Sequence, residues 1–188
     1  EADNALSPFG EFWEEILHNS LAVATLSVAA LESYANEFYA DNLHQVPGLN
    51  EVAVGSIGEL VENASILKKF QVALTLRSGK ELSMGSPIVQ NVDALIKLRN
   101  AVVHFRPEWF DAQDKHDKLS RQLARRFDGS AFLRDEPLFP RAWASGSFAS
   151  WSLRTCVEFI EHFCNESGIP SPLTQFHGRI TEYSENAL

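Results

Sequence analysis

Arg99, Asn100 and His104 interrupt the stretch LIKLRNAVVHFRPEW (residues 95–109), in which Leu95, Leu98 and Val102 recur at helical spacing and seek a core. An arginine grips phosphate or carboxylate oxygens through a planar fork of N–H donors. A histidine exchanges a proton near neutral pH, and an asparagine amide can orient an imidazole or an anion. These three types together suit proton transfer beside a bound anion. The competing reading is bland: Arg99 pairs with an acid or caps carbonyls, and His104 merely ends a helix.

Helical geometry limits how the three can cooperate. At about 100° per residue, Asn100 and His104 lie roughly 40° apart and one turn along, so a hydrogen bond between them is feasible. Arg99 stands about 140° from His104 around the same helix. One isolated helix therefore does not aim both groups at one phosphate. A second copy facing the first across a two-fold axis supplies the missing partner.

The spacing, an arginine, four residues and a histidine, with Asn100 directly after the arginine, resembles the signature of the HEPN superfamily (higher eukaryotes and prokaryotes nucleotide-binding domains). LESYANEFYADNL looks like that family's early helix, and LVENASILKKFQVAL followed by a loop and DALIKLRNAVVHFRPEW is similar to its order of elements. The likeness covers roughly residues 20–110. It implies an all-α, HEPN-like bundle. Many members are metal-independent endoribonucleases, often toxins or defence effectors, that act as homodimers. Others have lost catalysis and bind RNA, nucleotide or a protein partner. By the same likeness, His104 would be general base or acid in the attack of an RNA 2′-hydroxyl on the neighbouring phosphate. Arg99 would hold the phosphate oxygens, and Asn100 would orient the imidazole or the phosphate. Glu32 and Asn36 share a narrow polar stripe with Thr25 on the early helix. Either Glu32 pairs with Arg99 and fixes its direction, or the stripe faces solvent.

These residues need helices to carry them, and the chain reads as helix almost throughout. Ser7 and Pro8 suit an N-cap and first turn for a long helix running towards His44, either unbroken or divided near Asn19–Ser20. VPGLNEVAVG is expected to be a connection, a second helix covers roughly 57–77, and SGKELSMGSP is a loop. Ser86 and Pro87 start the third helix, which Pro107 ends just after His104. A charged fourth helix spans about 110–127, a long irregular connection follows, and a fifth begins near Phe148. Its expected apolar stripe is Leu153, Cys156, Val157, Ile160, Phe163 and Cys164. The expectation is one domain over residues 1–188, an antiparallel bundle of four to five helices with an irregular tail at 170–188.

Composition narrows the function classes. The net charge of −9 argues against a general nucleic-acid coat, yet the charge is unevenly spread. Residues 1–67 hold eleven acids and no Lys or Arg, whereas residues 68–134 hold thirteen Lys or Arg against seven acids. The basic block contains Arg99 and His104, an arrangement compatible with phosphate binding at one place. No glycine-rich phosphate loop, CxxC pair or HExxH helix is present, and nothing calls for a metal or a cofactor. Cys156 and Cys164, eight apart in one helix, are separated by about 12 Å of rise and cannot bond to each other. A reducing, cytoplasmic setting is the default, and no uncharged apolar run approaches membrane-spanning length.

Three readings follow: a ribonuclease of toxin or defence type, a catalytically silent HEPN module, and a helical interaction domain using its acidic first third. The intact Arg99–Asn100–His104 set favours the first over the second, and the net charge of −9 favours the third.

Overall fold

The computed structural model describes residues 10–42, 46–106 and 114–174. Ser7, Pro8, Pro107 and most of the expected irregular tail lie outside these. The described residues are helical without strands, with six α-helices: α1 (Gly10–Glu37), α2 (Glu51–Glu62), α3 (Ile66–Ser78), α4 (Pro87–Val103), α5 (Asp114–Leu123) and α6 (Gly146–Ser167). Short π turns follow α1 (Phe38–Asn42) and precede α6 (Leu138–Ala142).

The all-α class is as expected, but the helix count exceeds four to five. Asn50 starts α2 inside the expected connection, its side chain accepting the Ala53 N–H at 2.9 Å. The expected helix over 57–77 is divided at Asn63–Ser65, where Asn63 ends α2 and Ser65 precedes α3 in an extended conformation. α1 runs through Asn19–Ser20 unbroken. α6 buries Phe148, Ser152, Thr155, Phe159 and Phe163 along one face. Of the expected stripe, Cys156, Ile160, Phe163 and Cys164 are buried, whereas Leu153 falls off the buried face and is 55% exposed.

The chain gathers into two compact units, each assembled from separate segments. The first takes the start of α1, residues 94–106, α5, the second π turn and α6 up to Leu153. Its interior holds Leu95, Leu98, Leu119, Leu123, Phe139, Trp143 and Phe148, all buried. Ser120 ties the π turn to α5, accepting the Phe139 N–H at 2.9 Å and donating to the Phe139 carbonyl at 3.0 Å. Gly129 permits a close approach in the same region: a Cβ there would lie 2.9 Å from the Leu138 side chain and 3.1 Å from the Ala142 carbonyl oxygen.

The second unit takes α1 from Ser27, α2, α3, α4 to Asp93 and α6 from Arg154. Phe70 centres its core, edge-on to Phe159 (centroids 4.8 Å) and Phe163 (5.0 Å). Such edge-to-face pairs contribute about 0.5–1.5 kcal/mol beyond their buried area. α3 ends on Gly79, whose φ of +69° is left-handed and whose N–H donates to the Thr75 carbonyl at 2.9 Å. Nothing crowds a Cβ at this glycine. Gly79→Ala should therefore cost only the backbone penalty, about 1–2 kcal/mol, read as a lowered urea midpoint at unchanged slope.

α1 presents two contrasting faces. Ser20, Ala24, Ser27, Val28, Leu31, Ala35 and, in the π turn, Phe38 are buried. Ala22, Thr25, Leu26, Ala29 and Ala30 are exposed, Leu26 at 67%. Contrary to the expectation that no segment approaches spanning length, α1 with its π turn over Phe12–Asp41 is long and apolar enough to cross a membrane by length and composition, with mean hydropathy 1.2 and 28% of the apolar window buried.

Candidate functional site

α4 is built to place a polar pair on the flank of a core helix. Pro87 opens it after Ser86, whose hydroxyl accepts the Val89 N–H at 3.4 Å. Val89, Val92, Leu95 and Leu98 then carry a fully buried stripe, and Val102 is half-buried. Arg99 stands four residues after Leu95 and directly after Leu98, so it sits on the edge of that stripe. Its burial follows from this position: the residue is half-buried, and its Nε is shut away from water with no hydrogen-bond partner.

Asn100 and His104 fall on the other side of the helix, and both are exposed. The His104 N–H still donates to the Asn100 carbonyl, at 2.9 Å, closing the last turn. Neither side chain makes a hydrogen bond or ion pair among the described residues, so the feasible amide–imidazole bond is not formed here. Arg99 also lacks any ion pair or hydrogen bond among the described residues. Thus Arg99, Asn100 and His104 all lie in the first unit, at one helix end, with their polar ends uncommitted.

Glu32 and Asn36 lie in the second unit. Glu32 is half-buried and makes no ion pair among the described residues. Asn36 is committed elsewhere: its carbonyl oxygen accepts from Lys69 Nζ at 2.8 Å. Lys69 is only 4% exposed, and Tyr39 donates to its backbone carbonyl at 2.7 Å. The role this geometry gives Asn36 is to satisfy a buried ammonium.

An aromatic group beside His104 was not singled out from the sequence. Phe105 is 49% exposed and stacks on His116, with ring centroids 5.7 Å apart and planes 23° from parallel. His116 meets the buried Phe139 edge-on at 5.0 Å, and Phe105 approaches the same ring at 6.2 Å. Arg106, next along the chain, is exposed and makes no hydrogen bond or ion pair among the described residues. Spacing alone does not reveal this group, because its three rings come from separate elements.

Two other features lack the chemistry of a site. An open groove of about 490 Å³ on α3 is lined by Lys68, Gln71, Val72, Thr75, Leu76 and Glu81. Its Gln71 carbonyl oxygen accepts the Leu82 N–H at 2.8 Å, and the Thr75 hydroxyl donates to the Lys80 carbonyl at 3.1 Å. Those groups hold the loop after α3, and the groove contains none of the Arg99 set. The thiols are inert by position: burial pushes Cys156 up to about 12, and Cys164 is also raised, chiefly by burial. Among the described residues no three of His, Cys, Asp and Glu gather as a metal site would require.

Arg99 can offer a forked cation, and His104 a proton acceptor or donor, to a ligand arriving at the end of α4. No protein-family model matches this sequence, and no curated protein or solved structure is significantly similar to it.

Proposed function

We propose that the chain is a metal-independent endoribonuclease of HEPN type, of the toxin or host-defence kind, acting as a homodimer whose cleft lies where two copies of α4 approach. The observation that carries this reading is the buried, unpartnered Nε of Arg99, with His104 exposed at the end of the same helix and its side chain unbonded among the described residues. An unpaired buried donor costs about 1–3 kcal/mol, a charged one more, so the fold itself gains nothing from this Nε, and we read Arg99 as kept for its charge.

The reaction follows from the two groups. His104 withdraws the proton from an RNA 2′-hydroxyl while water protonates the leaving 5′ oxygen, or water takes up that proton while His104 protonates the leaving oxygen. The 2′ oxygen bonds to phosphorus as the bond to the 5′ oxygen breaks, leaving a 2′,3′-cyclic phosphate. Arg99 neutralises the charge that gathers on the non-bridging oxygens. Because about 140° separates Arg99 from His104 on the helix, the pair is completed across the two-fold axis. The exposed, uncharged face of α1 at Ala22, Leu26, Ala29 and Ala30 supports association of two copies.

The test is incubation of purified chain with mixed cellular RNA, beside an Arg99→Ala/His104→Ala double variant. Fragmentation by the wild type alone supports the proposal. Intact RNA with both proteins, or equal cleavage by both, overturns it.

A further inference from the structure

We infer that the open ring face of Phe105 is a stacking platform for one base of the RNA strand, and that the substrate at the α4 site is therefore single-stranded. The inference rests on the ribonuclease reading for its substrate, but its geometry is independent of catalysis. One face of Phe105 lies against His116, at 5.7 Å and 23°, and the residue nevertheless keeps 49% of its surface in water. Nearly half of the residue is thus left to solvent while the ring is held by the stack. His116 is in turn held edge-on by Phe139, which is 2% exposed, so the stack is anchored in the core of its unit. A ring immobilised in this way loses little freedom when a base settles on it.

The surroundings select what settles there. Phe105 is flanked in sequence by His104 and Arg106, both exposed, and neighbouring Cα atoms are about 3.8 Å apart. A base on the ring thus sits between two exposed polar neighbours in the chain, an imidazole and a guanidinium that has no partner among the described residues. An apolar peptide side chain would gain the ring but leave Arg106 unanswered, whereas a nucleotide answers both. Every base has a π face, so the platform tolerates sequence. Bases inside a duplex are already stacked, so the ring accepts only a base freed from pairing. The platform binds and positions; it takes no part in the bond changes.

The experiment uses the full chain and short RNAs carrying 2-aminopurine, whose fluorescence is quenched when the base stacks. Wild type is compared with Phe105→Leu, which keeps apolar bulk against Phe139, and Phe105→Trp, which keeps a π face. The expected result is quenching by single-stranded RNA, weakened roughly ten-fold in affinity in Phe105→Leu and retained in Phe105→Trp. In cleavage, Phe105→Leu should raise KM about ten-fold with kcat nearly unchanged. A fully paired RNA should neither quench nor be cut.

Quenching that depends on the ring, in a protein that cleaves nothing, supports the platform and overturns the ribonuclease reading. Cleavage with unchanged KM in Phe105→Leu overturns the platform and leaves the ribonuclease reading standing. Dissociation of a wild-type dimer by Phe105→Leu, seen by sedimentation, would assign the ring to a protein interface and overturn the platform. If Phe105→Leu fails to fold, 2-aminopurine quenching by wild type decides: its absence overturns the inference, and its presence, undiminished in Phe105→Trp, supports it.

Discussion

Arg99→Ala and His104→Ala are each expected to lower RNA cleavage by on the order of 10²–10⁴-fold while leaving the melting transition close to that of wild type. The expectation for activity comes from the proposed roles, a proton-transfer group and a cation on the phosphate. The expectation for stability comes from the structure. His104 is exposed and its side chain bonds to nothing among the described residues, so removing it should change stability by no more than about 0.5 kcal/mol. Arg99 buries part of its stem and leaves Nε without a partner. Truncation loses some packing of that stem and relieves an unsatisfied donor, and the two effects oppose each other. Fragment assays and thermal melts on the same preparations separate the alternatives. Full activity in either folded variant would remove the catalytic assignment. A large drop in melting temperature would return that residue to a structural role.

The second large effect concerns assembly. Arg99→Ala and His104→Ala chains, each inactive alone, should recover about a quarter of wild-type activity when mixed and reannealed. Random pairing makes about half the dimers mixed. If each cleft takes Arg99 from one protomer and His104 from the other, a mixed dimer holds one complete cleft and one doubly defective cleft. If each chain instead uses its own pair, no chain in the mixture has both groups, and nothing is recovered. Light scattering should show a dimer at micromolar concentration for all three proteins. A monomer with full activity would rule the shared cleft out.

The sequence carried some of this architecture openly and hid the rest for identifiable reasons. α4 was legible at its start, because Ser86–Pro87 is a start signal, and along its length, because Leu95, Leu98 and Val102 at helical spacing need no tertiary help to be read. The edge position of Arg99 was implicit in its spacing from Leu95. α2 was obscured because Gly55 and Gly58 lower intrinsic helix preference by about 1 kcal/mol each relative to alanine. The cap at Asn50 and packing at Val54 and Val61 override that preference. The α6 stripe was misdrawn at Leu153 because hydrophobicity alone does not rank leucine below Ser152 and Thr155, which are buried.

The candidate site divides in the same way. Arg99, Asn100 and His104 share one helix, so local periodicity places them together. Asn36 and Lys69 meet across 33 residues of chain, and the stack of Phe105, His116 and Phe139 joins the end of α4, α5 and a π turn. Only tertiary packing creates those neighbours. Glu32 was linked to Arg99 by the logic of charge alone, and the structure provides no ion pair for either among the described residues.

The most direct measurement is the chemistry of the RNA ends produced by purified wild-type chain in excess chelator. Attack by the 2′-hydroxyl under His104 and Arg99 leaves 2′,3′-cyclic phosphate or 3′-phosphate ends, together with 5′-hydroxyls. The same RNA methylated at its 2′ oxygens should remain whole, since the nucleophile is blocked. Products with 3′-hydroxyl ends, cleavage of the methylated RNA, or activity that appears only when magnesium is added would contradict the mechanism.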